Sequence, residues 1–177
     1  MEIKKKYVYT GIALGIVALG VGLYLSRKKI YEHFDYKTDL LLLSLDPVFR
    51  KKIKHLLSKA RDIGMELRVI SAYRDCAEQN KLYAQGRTAP GKIVTNAKCG
   101  KSSHNYKKAV DIVEFKNGQP LWNNPNWEKI GQMGEALGLE WGGRWTSIKD
   151  KPHFQDLAGK TVASLYREYE RTGILAA

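Results

Sequence analysis

Val110-Asp111-Ile112-Val113-Glu114-Phe115 is a short β-branched and aromatic run that stops at Lys116-Asn117-Gly118-Gln119. The first stretch reads as a strand and the second as a hairpin-type turn. Upstream, Glu66-Leu67-Arg68-Val69-Ile70-Ser71-Ala72-Tyr73 is partly alternating and partly β-branched, which predicts another strand. Helical signals lie around these two. Asp46-Pro47 opens a helix, with Pro47 where its missing N–H costs nothing. Val48, Ile53, Leu56, Leu57 and Ala60 follow at roughly helical spacing, and Gly64 closes it. Further helices are predicted from Cys76 to Gln85, Trp127 to Leu137 and Thr161 to Arg171, ending at Gly86, Gly138 and Gly173. Gly86 to Gly100, with Pro90, Gly91 and Asn96, reads as a loop. Helices and strands are mixed without a regular βαβ alternation or an internal repeat, so the class is α+β.

The 177 residues fit one domain of ordinary size plus a short appendage. Hydrophobic residues make up 44% of the chain, enough for a core, and glycine and proline are at ordinary levels. Collagen-like, low-complexity and wholly disordered readings are thereby excluded. Two cysteines are too few for a disulfide-framework miniprotein or a four-cysteine zinc finger. The net charge of +12 suits a polyanionic partner: nucleic acid, anionic lipid or an acidic cell-wall polymer. No basic helix or aromatic ladder supports nucleic acid, so none is expected as a partner.

Part of that charge sits at the N-terminus. Tyr7 to Leu25 is uncharged for 19 residues and is bracketed by Lys4-Lys5-Lys6 and Arg27-Lys28-Lys29. As a helix it would span roughly 28 Å, about the hydrocarbon thickness of a bilayer. No small-x-small cleavage site precedes a mature start, so residues 1–29 are expected to be an N-terminal signal anchor, a single transmembrane helix. Gly11, Gly15, Ala18 and Gly22 share one face of it, either a packing stripe or the mark of a weakly held anchor. Residues 30–39 read as a polar linker, and residues 40–177 as the globular domain.

Four histidines carry the chemistry worth weighing. His33 in the linker and His55 among helical lysines read as surface residues. His104, in Ser102-Ser103-His104, precedes Asp111 by seven positions. His153 sits in Asp150-Lys151-Pro152-His153-Phe154, shortly after Trp141-Gly142-Gly143-Arg144-Trp145. Two histidines and a carboxylate are a common ligand set for catalytic zinc, which leaves a fourth position for water. Spacing alone does not single zinc out.

The surrounding residues do. Ser71-Ala72-Tyr73-Arg74, Tyr83-Ala84-Gln85-Gly86-Arg87-Thr88, Ser102-x-His104-x6-Asp111, Trp141-Gly142-Gly143 and Asp150-x-x-His153-Phe154 stand in one order over about residues 40 to 173. Together they resemble the zinc D-Ala-D-Ala carboxypeptidase and L-alanyl-D-glutamate endopeptidase family. That family comprises peptidoglycan peptidases of bacterial walls and phage endolysins, with VanY-type enzymes among its members. The resemblance implies a Hedgehog/D,D-peptidase-like antiparallel sheet with flanking helices. It implies His104, Asp111 and His153 as zinc ligands, Asp150 as general base and Arg74 as the cation near the scissile carbonyl.

Those roles are chemically coherent. Zinc lowers the pKa of water to about 7, a carboxylate must accept the water proton, and a guanidinium can meet the charge that builds on the carbonyl oxygen. Without that chemistry, Arg74 would be an ion-pair partner of Asp75 or a helix end, and Asp150 a turn cap before Pro152. Two positions depart from the family pattern. Lys107 stands where a glycine is usual, and Arg144 where the Gly-Gly-Asp-Trp turn has its aspartate. Both bear on substrate preference more than on catalysis.

Cys76 and Cys99 flank the candidate site, either as a disulfide pinning the 86–100 loop or as two free thiols. The function expected is a zinc-dependent peptidoglycan hydrolase cleaving stem peptides, most simply an L-alanyl-D-glutamate endopeptidase. It would be held by a single pass in the cytoplasmic membrane with its catalytic domain facing the periplasm or cell wall. The alternatives are a VanY-type D,D- or L,D-carboxypeptidase, or a non-catalytic metal-containing wall-binding module, against which the presence of Asp150 argues.

Overall fold

Asp46 caps the helix it was expected to open. Its carboxylate accepts from the backbone N–H groups of Val48 and Phe49, and Pro47 occupies the first helical turn. In the computed structural model, residues 35–146 and 148–175 are described. The expected anchor at residues 1–29 lies outside them. Among the described residues no helix is long and apolar enough to cross a membrane.

Helix α1 (Tyr36–Leu43) precedes α2 (Pro47–Asp62). The boundary expected between residues 39 and 40 therefore falls inside a helix. Thr38 is buried, and its hydroxyl accepts from the Val69 N–H at 3.0 Å. On α2, Phe49, Ile53, Leu56, Leu57 and Ala60 form the buried face. Val48, expected on that face, is exposed, and Phe49 takes the role. Burying each large aliphatic contributes about 2 kcal/mol.

Strand β1 (Glu66–Ser71) leads to α3 (Cys76–Ala84), capped by the Asp75 side chain. A short 3-10 turn (Ser103–Tyr106) leads into β2 (Ala109–Lys116), which turns through Asn117-Gly118 into β3 (Gln119–Pro120). Asn117 and Gly118 both take positive φ, 52° and 75°, the conformation a tight hairpin requires. Helix α4 (Trp127–Glu135), β4 (Glu140–Trp141), a second 3-10 turn (Gly142–Arg144), β5 (His153–Gln155) and α5 (Val162–Thr172) complete the order.

The sheet runs β1-β2-β5-β4, with β3 on the outer part of β2, and every pairing is antiparallel. Helices pack on it, as the α+β reading expected. Val110 and Ile112 enter the apolar core together with α2 and α4 residues. Asp111, between them, takes the opposite face. Register then aligns the chemistry: Asp111 pairs with Ser71 on one side and with His153 on the other. The strands carrying these residues are neighbours, so Ser71, Asp111 and His153 form one row across three strands.

Candidate active site

His104 comes from the 3-10 turn before β2, and its ring is 3% exposed. Its Nδ1–H donates to the Ala72 carbonyl at 2.6 Å, which leaves Nε2 as a bare acceptor. On β5, the Nε2–H of His153 donates to Gln155 Oε1 at 3.1 Å, which leaves Nδ1 bare. Asp111 Oδ2 accepts from Arg74 Nη2 at 2.6 Å, and its other oxygen turns inward.

The three inward atoms converge. His104 Nε2 lies 3.3 Å from His153 Nδ1, and Asp111 Oδ1 lies 3.3 Å from His153 Nδ1 and 3.4 Å from His104 Nε2. Three lone-pair acceptors facing one another repel unless a cation lies among them. Donors about 2.0–2.1 Å from a tetrahedral ion are about 3.4 Å apart, so this set fits zinc. The site's own charge preference agrees. Burial opposes the Asp111 charge, but with no cation among the three atoms, protonated His104 and His153 would outweigh it and hold its carboxyl far below the usual carboxylate range. Burial likewise opposes a charged His153, yet Asp111 raises its pKa. The cluster favours a positive charge at its centre.

This centre lies in a cleft of about 580 Å³ whose lining includes Arg74, Lys101, Trp122, Trp145 and Asp150. Asp150 makes no side-chain hydrogen bond to another described residue. Burial, and then the charge of Asp111, raises its pKa above the ordinary aspartate value. Its backbone is fixed: its N–H donates to the Gly142 carbonyl at 3.0 Å, and its own carbonyl accepts from the His153 N–H at 3.2 Å. Asp150 is thus not a side-chain turn cap.

Arg74 differs from both roles weighed for it as a structural residue. It pairs with Asp111 rather than Asp75, and its Nε and Nη2 also donate to the Ser71 hydroxyl at 3.0 and 2.8 Å. Arg144 does not enter the cleft lining. It reaches over α4 to Glu128 and Glu135 and over the Trp141 ring. Lys107 explains the glycine usual at its position: it caps the 3-10 turn in the left-handed conformation, φ 59°.

Cys76 and Cys99 are joined in a disulfide, closing a 23-residue separation between α3 and the segment before His104. Arg87 organises the loop so closed, donating to the carbonyls of Tyr83 and Thr95 and to Asn96 Oδ1. Three supporting residues went unassigned in the sequence. Gln155 orients His153 and donates to Glu140 Oε2 at 2.8 Å, and the other Glu140 oxygen accepts from Trp145 Nε1 at 2.6 Å. The Trp145 ring lies 5.0 Å from that of His153. Strand alternation could have found Gln155, two residues from His153 and on the same face. No local signal marks Glu140, and Trp145 stood out only as the tryptophan of the glycine-rich turn.

A buried His–Asp–His set on an antiparallel sheet, open to a cleft and flanked by a carboxylate without a hydrogen-bond partner among the described residues, has the make-up of a hydrolytic metal centre. Comparison with known proteins narrows that class. The family model for D-alanyl-D-alanine carboxypeptidase matches residues 95–156, which contain all three inward-facing residues and Asp150. The peptidoglycan L-alanyl-D-glutamate endopeptidase CwlK of Bacillus subtilis is 36% identical over 121 residues, 63% of this chain and 72% of that protein. The chain belongs to the D-alanyl-D-alanine carboxypeptidase and L-alanyl-D-glutamate endopeptidase family of peptidoglycan peptidases. Its fold is shared with the Serratia marcescens L-Ala D-Glu endopeptidase ChiX (TM-score 0.54, 23% identity, 69% of this chain and 87% of the other). It is shared also with the vancomycin resistance D,D-pentapeptidase VanY in complex with Zn(II) (TM-score 0.51, 17% identity, 70% and 78%).

Proposed function

We propose that this chain is a zinc peptidase that hydrolyses the L-alanyl–D-glutamate bond of peptidoglycan stem peptides. The observation that carries the catalytic reading is the convergence of three bare donor atoms beside the unbonded carboxylate of Asp150. The choice of bond follows the similarity to the Bacillus subtilis endopeptidase.

His104 Nε2, His153 Nδ1 and Asp111 Oδ1 would hold the zinc, which supplies Lewis acidity at the scissile carbonyl. The outer atoms of these residues are already engaged by Ala72, Gln155 and Arg74, so each ligand is presented in one orientation. Asp150 accepts the proton of the attacking water and delivers it to the amide nitrogen as the C–N bond breaks. Its raised pKa suits both halves of that transfer. Arg74 holds Asp111 through Nη2, and its Nη1, unbonded among the described residues, is available to the carbonyl oxygen as negative charge develops there.

The test is digestion of purified peptidoglycan and identification of the new termini by mass spectrometry, with and without a chelator. New N-terminal D-glutamate that disappears on chelation is the expected result. Release of free D-alanine would make the chain a carboxypeptidase instead, and no hydrolysis with zinc bound would favour a wall-binding module.

Residues 1–29 are read as a membrane anchor that keeps the catalytic domain on the wall side. The uncharged Tyr7–Leu25 run between basic flanks supports this. Fractionation of intact cells tests it, since protein found only in the soluble fraction would refute the anchor.

A further inference from the structure

Arg74 and Lys101 carry the permanent positive charges among the described residues lining the cleft. Arg74 is engaged with Asp111 through Nη2 at 2.6 Å, and in the reading above its Nη1 serves the carbonyl oxygen. Lys101 has no ion pair among the described residues, and its Nζ lies 5.1 Å from the centre of the Tyr166 ring.

The backbone beneath Lys101 is held from several directions. Its N–H donates to the Lys98 carbonyl at 3.0 Å. The preceding residue, Gly100, donates to Asn105 Oδ1 at 3.0 Å and accepts from the Tyr106 hydroxyl at 2.6 Å. The buried Asn105 also donates to the Arg74 carbonyl at 2.8 Å, tying this segment to the chain after β1. Cys99 is bonded to Cys76, and its N–H donates to Asn80 Oδ1 at 3.0 Å. The backbone that carries Lys101 is therefore fixed three residues before His104, unlike that of a lysine on a free loop.

The substrate reading gives that cation a partner. A glutamyl residue has two carboxyl groups. When its nitrogen belongs to the scissile amide and one carboxyl continues the chain, the other is free and anionic, a few bonds from the reacting atoms. It must lie in the same cleft. Asp150 there repels it, and Arg74 is shared between Asp111 and, in the reading above, the scissile carbonyl oxygen.

We propose that Lys101 binds the free carboxylate of the glutamyl residue on the leaving side of the cleaved bond and makes the chain selective for glutamate over its amidated form. The proposal rests on the L-alanyl–D-glutamate reading.

The test compares two matched L-alanyl-D-glutamyl peptides, one with the side carboxyl free and one with it amidated, on zinc-loaded full-length wild type, Lys101→Met and Lys101→Arg. Wild type should favour the free acid by roughly fivefold to tenfold, mainly in KM, as expected of a partly exposed charge-assisted hydrogen bond. Added salt should shrink that preference. Lys101→Met should lose the preference, with kcat and the KM for the amide within about twofold of wild type, and Lys101→Arg should retain most of it. Equal cleavage of both peptides by wild type, or a preference that survives in Lys101→Met, overturns the role of Lys101 alone. Wild type that cleaves neither peptide at this bond overturns the substrate reading and the proposal with it.

Discussion

Gly142→Ala tests how the site is built without replacing a proposed ligand or the proposed base. A Cβ at position 142 would lie 2.5 Å from the Asp150 carbonyl oxygen, 3.1 Å from His153 Cβ and 3.2 Å from Asp150 Cβ. Gly142 has no positive φ, so alanine adds no backbone strain and the effect is one of contact alone. An ordinary carbon–oxygen contact needs roughly 3.3 Å, so the two backbones must separate by about 0.8 Å. The Asp150 N–H to Gly142 carbonyl bond, 3.0 Å, is strained by that movement, and Asp150 shifts with it. Overpacking of this kind costs about 1–3 kcal/mol of stability. A displacement near 1 Å in a catalytic group costs about a hundredfold in rate. The expected variant binds zinc to about one equivalent at saturating metal, unfolds at lower urea and has kcat lower by about two orders of magnitude. Urea titration, metal analysis and peptide kinetics measure these separately. Wild-type stability together with wild-type kcat would show that the Gly142–Asp150 contact does not set the position of the carboxylate.

Four other variants probe separate parts of the site and fold. Asp150→Asn should keep zinc and lose about a hundredfold or more in kcat, as removal of a general base does; loss of metal would make Asp150 a ligand. Gln155→Leu should weaken zinc affinity by about tenfold to a hundredfold, because His153 loses the acceptor that orients it, and unchanged affinity in a metal competition assay would refute that support. Replacing Cys76 and Cys99 together with serine should cost about 3 kcal/mol on the loop-closure argument, and equal urea midpoints for the two proteins would contradict it. Lys107→Gly should stabilise the fold by up to about 1 kcal/mol by relieving a left-handed lysine, and a lowered midpoint would mean that contacts such as that of Lys107 with the Tyr73 ring matter more.

What the sequence disclosed divides along a physical line. Elements with a cap and a periodic face were legible: Asp46-Pro47 and Gly64 bracket α2 to within two residues, and Asn117-Gly118 marks the hairpin. The short strands β4 and β5 were not. Two or three residues give no measurable alternation, and they are strands only because β5 pairs with β2 and β4 pairs with β5. Helix α1 was lost for a similar reason, since its first half, Tyr36-Lys37-Thr38-Asp39, is polar and buries a threonine, and Leu42 of its second half enters the core. At the site, residue types and the family resemblance named the three histidine and aspartate side chains that converge. The support around them comes from long-range register. Glu140 is 15 residues from Gln155, and Arg74 is 37 from Asp111, distances at which no local pattern operates.

That long-range support is what gives two aspartates in one cleft opposite chemistry. Burial raises the pKa of both. Asp111 has two histidines within 3.4 Å and Arg74 at 2.6 Å, so its charge is over-compensated and it stays ionised. Asp150 lacks a hydrogen bond of its own among the described residues and feels Asp111 as a like charge, so it holds a proton more readily. The proposed ligand must remain anionic and the proposed proton carrier must gain and lose a proton, and environments that push two like groups apart in this way fit those proposed roles. The difference between the two environments follows the strand register. His153 stands directly opposite Asp111, and Asp150, three residues earlier, lies beyond the strand, where the Gly142 turn holds its backbone and leaves its carboxylate free.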